Sequence, residues 1–361
     1  IHKQYNESDN VFEKIKKLYK YMQSKTRYVS IQLGIGGWQP FEAELVHEKG
    51  YGDCKALSNY MVSLLNEAGI KSYTALINTG EHRFPIIKEF PSNQFNHAIC
   101  CVPLEKDTVW LECTSQLMTA GKIGSSNENR SALLITELGG ILVPTPKSKS
   151  ADNRQLRNAS VMIKTIGNAD VSSTVEWKGS QQENVIHRLG YATPEDKQKW
   201  VASTMGVPDQ RLQNFAFKGI ESRNSDVVLS LQAEIPNFAS FSGSRLFFKP
   251  NIMERRTMIP KDVEKRMSPV TFESPYLDID TIYFSIPRGY KAESLPKEVK
   301  LSTPFANYIA NTAMRDGTSL IYTRLIEIKD YSIPAEMYSE YRKFMSEVVK
   351  ADRAQAVFVK E

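Results

Sequence analysis

Apolar residues recur every three or four positions in a few stretches of the chain and alternate with polar ones in many more. Val11, Phe12, Ile15, Leu18, Tyr19 and Met22 fall at helical spacing, which predicts an amphipathic helix capped by Asp9 and ending near residues 24–26. Tyr28–Leu33 then reads as extended, and Gly34-Ile35-Gly36-Gly37-Trp38-Gln39-Pro40 breaks the pattern. A short helix is predicted over Phe41–Lys49. A longer one starts at Cys54, where Leu57, Met61, Leu64, Leu65 and Ala68 form one stripe and Gly69 closes the last turn. Three strand-like segments follow, Ser72–Asn78, His97–Val102 and Thr108–Cys113, the last two joined by the hairpin-length Pro103–Asp107. Between the first two, a long connection over 79–96 either shapes a cleft or only joins its strands. A helix followed by antiparallel strands predicts an α+β unit.

The polar run Lys147-Ser148-Lys149-Ser150-Ala151-Asp152-Asn153 is the clearest boundary in the chain, and it predicts domains over 1–148 and 149–361. Beyond it the pattern turns mainly to strands, at Ser160–Ile166, Asp170–Trp177, Asp226–Ala233 and Thr281–Ile286. Arg315-Asp316-Gly317-Thr318 between Tyr308–Ala313 and Ser319–Ile328 is a hairpin signal. Helices are expected near 194–205, opened by Thr193-Pro194, and near 334–350, where Met337, Tyr341, Phe344, Met345 and Val348 make a core-facing stripe. The second domain therefore reads as β-sandwich-like with helical additions.

Composition adds exclusions. At 361 residues the chain exceeds the roughly 250–300 residues at which one core stops growing. Its net charge of +5 is modest, and its most basic run, Lys14–Lys20, fits the solvated face of the first helix. No nucleic-acid partner is expected. No apolar run reaches the ~18–20 residues of a membrane span, so no integral membrane segment is expected in this chain. Four cysteines without a CxxC or His-rich spacing predict neither a disulfide framework nor a metal site, and no cofactor. Gly34, Gly36 and Gly37 do not make a dinucleotide loop, since the third glycine is missing and Pro40 blocks an immediate helix. The chain opens on Ile1 without a signal-peptide pattern, which suggests a piece of a longer or processed protein.

Tyr51-Gly52-Asp53-Cys54 delivers one thiol to a helix start, where unpaired N–H groups favour a thiolate. A larger shift needs an imidazolium. His97, at the start of a strand, is the best-placed histidine, and strand parity puts His97, Ile99 and Cys101 on one face. Folding the hairpin near Glu105 brings Glu112 against His97. Cys54, His97 and Glu112 are thus candidates for nucleophile, base and orienting carboxylate. Alone, each of these residue types is more often structural.

Gly52-Asp53-Cys54 opening a helix, Asn96-His97-Ala98-Ile99 opening a strand and Trp110-Leu111-Glu112-Cys113-Thr114 closing the next resemble the core of the transglutaminase-like superfamily over residues from about 10 to 120. Arg27–Pro40 is similar to the lead-in of multi-domain bacterial members. The resemblance implies a papain-related cysteine fold for the first domain, with Cys54, His97 and Glu112 as its triad and an appended β-rich domain. It also implies a preceding β-rich domain outside this chain, and a periplasmic, cell-surface or secreted setting. One departure stands out: the third place is usually Asp, and here it is Glu. The expected reaction is acyl transfer from a peptide or carboxamide carbonyl, resolved by water or by an amine. The Cys54 N–H and one side chain from Trp38, Gln39 and Gln32 would hold the oxyanion. The alternatives are a non-catalytic peptide- or protein-binding scaffold and, more weakly, a redox thiol protein.

Overall fold

The computed structural model describes residues 1–361 except 32, 81–84, 205–209, 221–225 and 254. The chain forms two compact units, Ile1–Lys147 and Ser148–Glu361.

The first unit begins with α1 (Val11–Lys25), whose cap is Asn10 and not Asp9: the Asn10 side chain accepts from the Glu13 N–H at 2.9 Å. Asp9 instead accepts from the Asn6 N–H at 2.8 Å and pairs with Lys17 at 2.6 Å. β1 (Arg27–Tyr28) then runs parallel to β2 (Tyr51–Gly52), with α2 (Ala43–Lys49) between them. Gly50 ends α2 at φ 68, a left-handed conformation that glycine adopts without strain. α3 (Cys54–Glu67) buries Leu57, Met61, Leu64 and Leu65 beside Ile15, Leu18, Tyr19 and Met22 of α1. Each such side chain contributes roughly 1.5–3 kcal/mol on burial.

Against these helices lies a sheet of β3 (Tyr73–Ile77), β4 (His97–Pro103), β5 (Thr108–Leu111), β6 (Ser131–Thr136) and β7 (Gly139–Pro144), in the order β5-β4-β3-β6-β7 and antiparallel throughout. β6 and β7 are an addition to the predicted strands. On β4, Cys100 and Val102 join the helix core while Ile99 and Cys101 pack with Trp110 and Leu134, so the alternating parity is real.

The hairpin register differs from the one that would set Glu112 directly across from His97. Leu104 N–H donates to the Asp107 carbonyl at 2.7 Å, which centres the turn between Glu105 and Lys106. The ladder consequently pairs Cys100 with Leu111 and Cys101 with Trp110. Continued one step further, that register puts Ile99 opposite Glu112. His97 and Glu112 therefore share a face but stand on a diagonal, a separation that long side chains span.

The second unit is β-rich. β8 (Arg154–Ile163) and β9 (Ala169–Trp177) are followed by α4 (Ser180–Leu189) and α5 (Pro194–Thr204). Thr193 caps α5 by accepting from the Asp196 N–H at 3.2 Å; the expected end of this helix at residue 205 lies outside the described residues. α4 was not predicted. Then come β10 (Arg211–Lys218), β11 (Val227–Ile235), β12 (Ser240–Ser242), β13 (Arg245–Phe248), β14 (Val270–Thr271), β15 (Tyr276–Ser285), β16 (Tyr290–Ser294), β17 (Val299–Ser302), β18 (Ala306–Met314), β19 (Ser319–Ile328), β20 (Ser332–Ile333), α6 (Tyr338–Asp352) and β21 (Ala356–Lys360). Eight strands form one sheet in the order β10-β11-β9-β8-β15-β19-β18-β17, antiparallel except for the β8–β15 pair. β12, β13, β21 and β16 form a second sheet. The two share a core, with the Phe248 ring 5.1 Å from that of Phe284 and 5.8 Å from that of Phe358. The chain as a whole is thus a β-rich α+β protein. Among the described residues, no helix is long and apolar enough to cross a membrane.

Candidate active site

Cys54 is the first residue of α3, and the local sequence dictates its placement. Asp53 caps the helix, its Oδ1 accepting from the Ala56 N–H at 2.9 Å, and its other oxygen pairs with Lys55. Gly52 must lack a side chain, because a Cβ there would stand 2.8 Å from the Ala56 Cβ. Ser58, one turn along α3, donates to the Ala98 carbonyl at 3.1 Å and fastens the helix to the start of β4. Cys54 is only 4% exposed.

His97 opens β4 beside this helix start, close enough for its ring to interact with the Cys54 thiol. Its Nε2 lies 2.8 Å from Glu112 Oε2. The remaining ring nitrogen, Nδ1, is the one left for the sulfur. Glu112 is buried and takes up every direction its carboxylate offers. Oε2 also accepts from Asn127 Nδ2 at 2.8 Å, while Oε1 accepts from the Thr114 N–H at 3.0 Å and the Thr114 hydroxyl at 2.6 Å. A carboxylate ringed by donors is anionic and has no proton to give, so the proton in the Glu112–His97 bond belongs to Nε2. The backbone carries the same anchoring: Tyr19 donates to the Glu112 carbonyl at 2.5 Å, and Gln23 Nε2 donates to the carbonyls of Ser115 at 2.8 Å and Met118 at 2.9 Å.

The electrostatics follow from these contacts. Burial pushes the Cys54 thiol up, but the His97 hydrogen bond, its positive charge and the Ala98 N–H outweigh burial, and the thiol is held below its ordinary value of 9.0. Burial pushes His97 down, yet its bonds to Cys54 and Glu112 raise it to about 10. Burial raises Glu112, and the His97 and Thr114 contacts overcome that, leaving it below its ordinary range. Both shifts run in the direction that favours a proton on His97 over one on the Cys54 sulfur. The other cysteines behave oppositely. Desolvation raises Cys100 and Cys113 far up and Cys101 to about 12, so these remain inert thiols. Cys113 also faces the helix core, away from Trp110.

Of the three residues considered for the oxyanion, Gln32 lies outside the described residues. Trp38 follows the short 3₁₀ turn Gly34–Gly37 and is 70% exposed. Gln39 is exposed as well, with its backbone N–H bonded to the Ile35 carbonyl at 2.9 Å. Among the described residues, no hydrogen bond holds either side chain against the sulfur. Sequence reasoning missed Ala98, Thr114, Asn127 and Tyr19. Only Thr114, two residues past Glu112, carried a signal, since a hydroxyl at that offset commonly reaches back to a carboxylate or backbone group. His47 is engaged elsewhere, 2.9 Å from the Tyr60 hydroxyl. Among the described residues, no group of three or more His, Cys, Asp or Glu side chains is arranged to hold a metal ion.

Comparison with known proteins bears on the fold. The profile of a family described as a domain of unknown function with a solved structure, DUF3858, matches residues 244–358, from β13 into β21. The whole chain is similar to the crystal structure of a candidate protease from Parabacteroides distasonis, with 14% sequence identity and a TM-score of 0.50. The match covers 98% of this chain and 53% of that one, so the chain spans about half the length of that structure. A likeness at this identity is one of fold. No curated protein matches the chain.

Proposed function

We propose that the first unit is a thiol-dependent acyl-transfer site that attacks a peptide or carboxamide carbonyl. The observation that carries this reading is the line of interacting side chains from Cys54 through His97 to Glu112, with His97 hydrogen bonded to the carboxylate, the thiol held low and the imidazole held high. In the proposed reaction a sulfur lone pair of the Cys54 thiolate forms the C–S bond, and the carbonyl π electrons move to oxygen. Collapse of that adduct breaks the C–N bond, and His97 gives its Nδ1 proton to the departing amine, leaving a thioester. Neutral His97 then takes a proton from water or from an incoming amine as its O or N bonds to the thioester carbon, and collapse of that second adduct breaks the C–S bond, releases the acid or new amide and returns the Cys54 thiolate beside protonated His97. Glu112 stays ionised throughout and keeps the Nδ1 edge of the ring toward sulfur. The Cys54 N–H at the helix start is the first oxyanion donor, and Trp38, Gln39 and Gln32 are candidates for the second.

The fold likeness to a candidate protease supports a peptide substrate, and a periplasmic or surface setting belongs to the same proposal. Incubation with a peptide library and a primary amine, read by mass spectrometry, tests it: Cys54-dependent cleavage or amine addition is expected. One observation favours the scaffold reading instead, namely that Cys54 is only 4% exposed. Peptide binding with no turnover, unchanged in Cys54→Ser, would select that alternative.

A further inference from the structure

Glu112 and His97 stand on a diagonal of the β4–β5 hairpin, and β5 ends at Leu111, just before the carboxylate. The ladder therefore does not fix the Glu112 side chain. A long carboxylate outside a ladder turns freely unless something stops it. Thr114 holds one oxygen from within the same strand-end segment. The other oxygen, the one that meets His97, is held from a separate element. Asn127 sits in the buried 3₁₀ turn Ser125–Asn127 and is 2% exposed. Its Nδ2 lies 2.8 Å from Glu112 Oε2 and 2.8 Å from the Ile123 carbonyl, so both amide protons are spent and the orientation of the amide is settled.

The turn itself is rigidly tied. Thr145 Oγ1 donates to the Asn127 carbonyl at 2.7 Å and Arg130 Nε to the Ser126 carbonyl at 2.5 Å. Arg130 also donates to the Gly80 carbonyl, at the start of the long connection that leads into His97. One guanidinium thus bridges the Asn127 turn and the loop before the imidazole.

We propose that Asn127 is a positioning residue of the thiol site, acting through Glu112. By filling one direction of Oε2 it leaves the other for His97 Nε2–H and keeps Nδ1 turned toward Cys54. The inference rests on the acyl-transfer reading of this site. Asn127 touches neither the sulfur nor, in that reading, the substrate.

The test is an ultraviolet thiolate titration of the folded protein, taken as the difference from Cys54→Ser. It is run on wild type, Asn127→Ala and Asn127→Leu, the last of similar volume but without a donor. The titratable groups at the site are Cys54, His97, Glu112 and Asp53. Thermal unfolding is recorded alongside. In both variants the thiolate midpoint is expected to move up by about one pH unit. Nitrogen NMR of the His97 ring should show loss of the protected, hydrogen-bonded Nε2–H signal. A residue that merely fills space would lower the melting temperature and leave the midpoint unmoved, and that result overturns the proposal. Loss of the fold in both variants would assign Asn127 to stability and overturn it too; if one variant folds, that one decides. A wild-type midpoint at the ordinary thiol value would instead defeat the acyl-transfer reading, so the two failures are told apart.

Discussion

Each unit buries a cluster of charge, and the two clusters end differently. In the second, the fully buried guanidinium of Arg324 on β19 donates to Asp352 of α6 at 3.0 and 3.2 Å and to Asp280 of β15 at 3.2 Å. Arg157 completes Asp280 at 2.8 Å, while the Tyr308 hydroxyl at 2.6 Å and the Arg256 N–H at 2.8 Å complete Asp352. Every carboxylate oxygen of Asp280 and Asp352 meets a donor, and each charge faces its opposite. In the first unit Glu112 is ringed just as fully. Its line of partners, however, leads on through His97 to a sulfur at a helix start, which His97 and the Ala98 N–H favour in its ionised form. A closed network ties a helix to a sheet. An open-ended one leaves a thiol at its tip.

The largest effect should come from opening the closed network. Arg324→Met leaves Asp280 and Asp352 buried without their shared cation, and a loss of about 3–5 kcal/mol is expected in denaturant unfolding. The Cys54 titration should not move. A shifted thiol midpoint in that variant would mean that the two clusters are not separate devices. Next is Glu112→Asp, which shortens the arm that spans the diagonal. Turnover, or thiolate content at neutral pH, should fall about tenfold, because the shorter carboxylate cannot keep both His97 and Thr114. Unchanged behaviour would show that the diagonal does not matter.

The smallest effect is in stability against pH. Between the ordinary imidazole value of 6.5 and the ordinary thiol value of 9.0, the unfolded pair carries one proton, on sulfur. The proposed thiolate–imidazolium pair also carries one, on His97, which keeps it up to about 10. Proton counts match, so this site gives no slope across that window. Above 9.0 the unfolded thiol ionises while folded His97 stays protonated, and stability falls, by at most ~1.4 kcal/mol per pH unit from this pair. The raised thiols of Cys100, Cys101 and Cys113 add to the same decline. A steady fall through the 6.5–9.0 window in denaturant unfolding would instead describe an imidazolium beside a neutral thiol.

What could be read from the sequence was whatever a local pattern controls. The α3 stripe with Gly69 behind it placed Cys54 in the first turn, and alternation placed His97 and Glu112 on one face of the hairpin. The register was hidden, because the Leu104–Asp107 hydrogen bond that centres the turn has no mark in the hydrophobic pattern. β6 and β7 were hidden by Gly139-Gly140, glycines that read as a break and instead begin a strand. Asn127 was hidden most completely. It lies in a three-residue turn and reaches Glu112 only after β5, the turn and β6 are folded. Glu112, read in the sequence as a departure from the Asp of the family it resembles, is long enough to meet His97 across the diagonal.

The central claim, a resting thiolate–imidazolium pair, is tested most directly by the Cys54 thiolate titration in wild type and His97→Ala. Because the other three thiols are pushed well above their ordinary range by burial, thiolate absorbance near neutral pH reports Cys54 alone. The account predicts a wild-type midpoint below the ordinary 9.0, and a fall in the thiolate present at neutral pH in His97→Ala of about 100-fold. A wild-type midpoint at or above 9.0, or one that His97→Ala leaves in place, would contradict it.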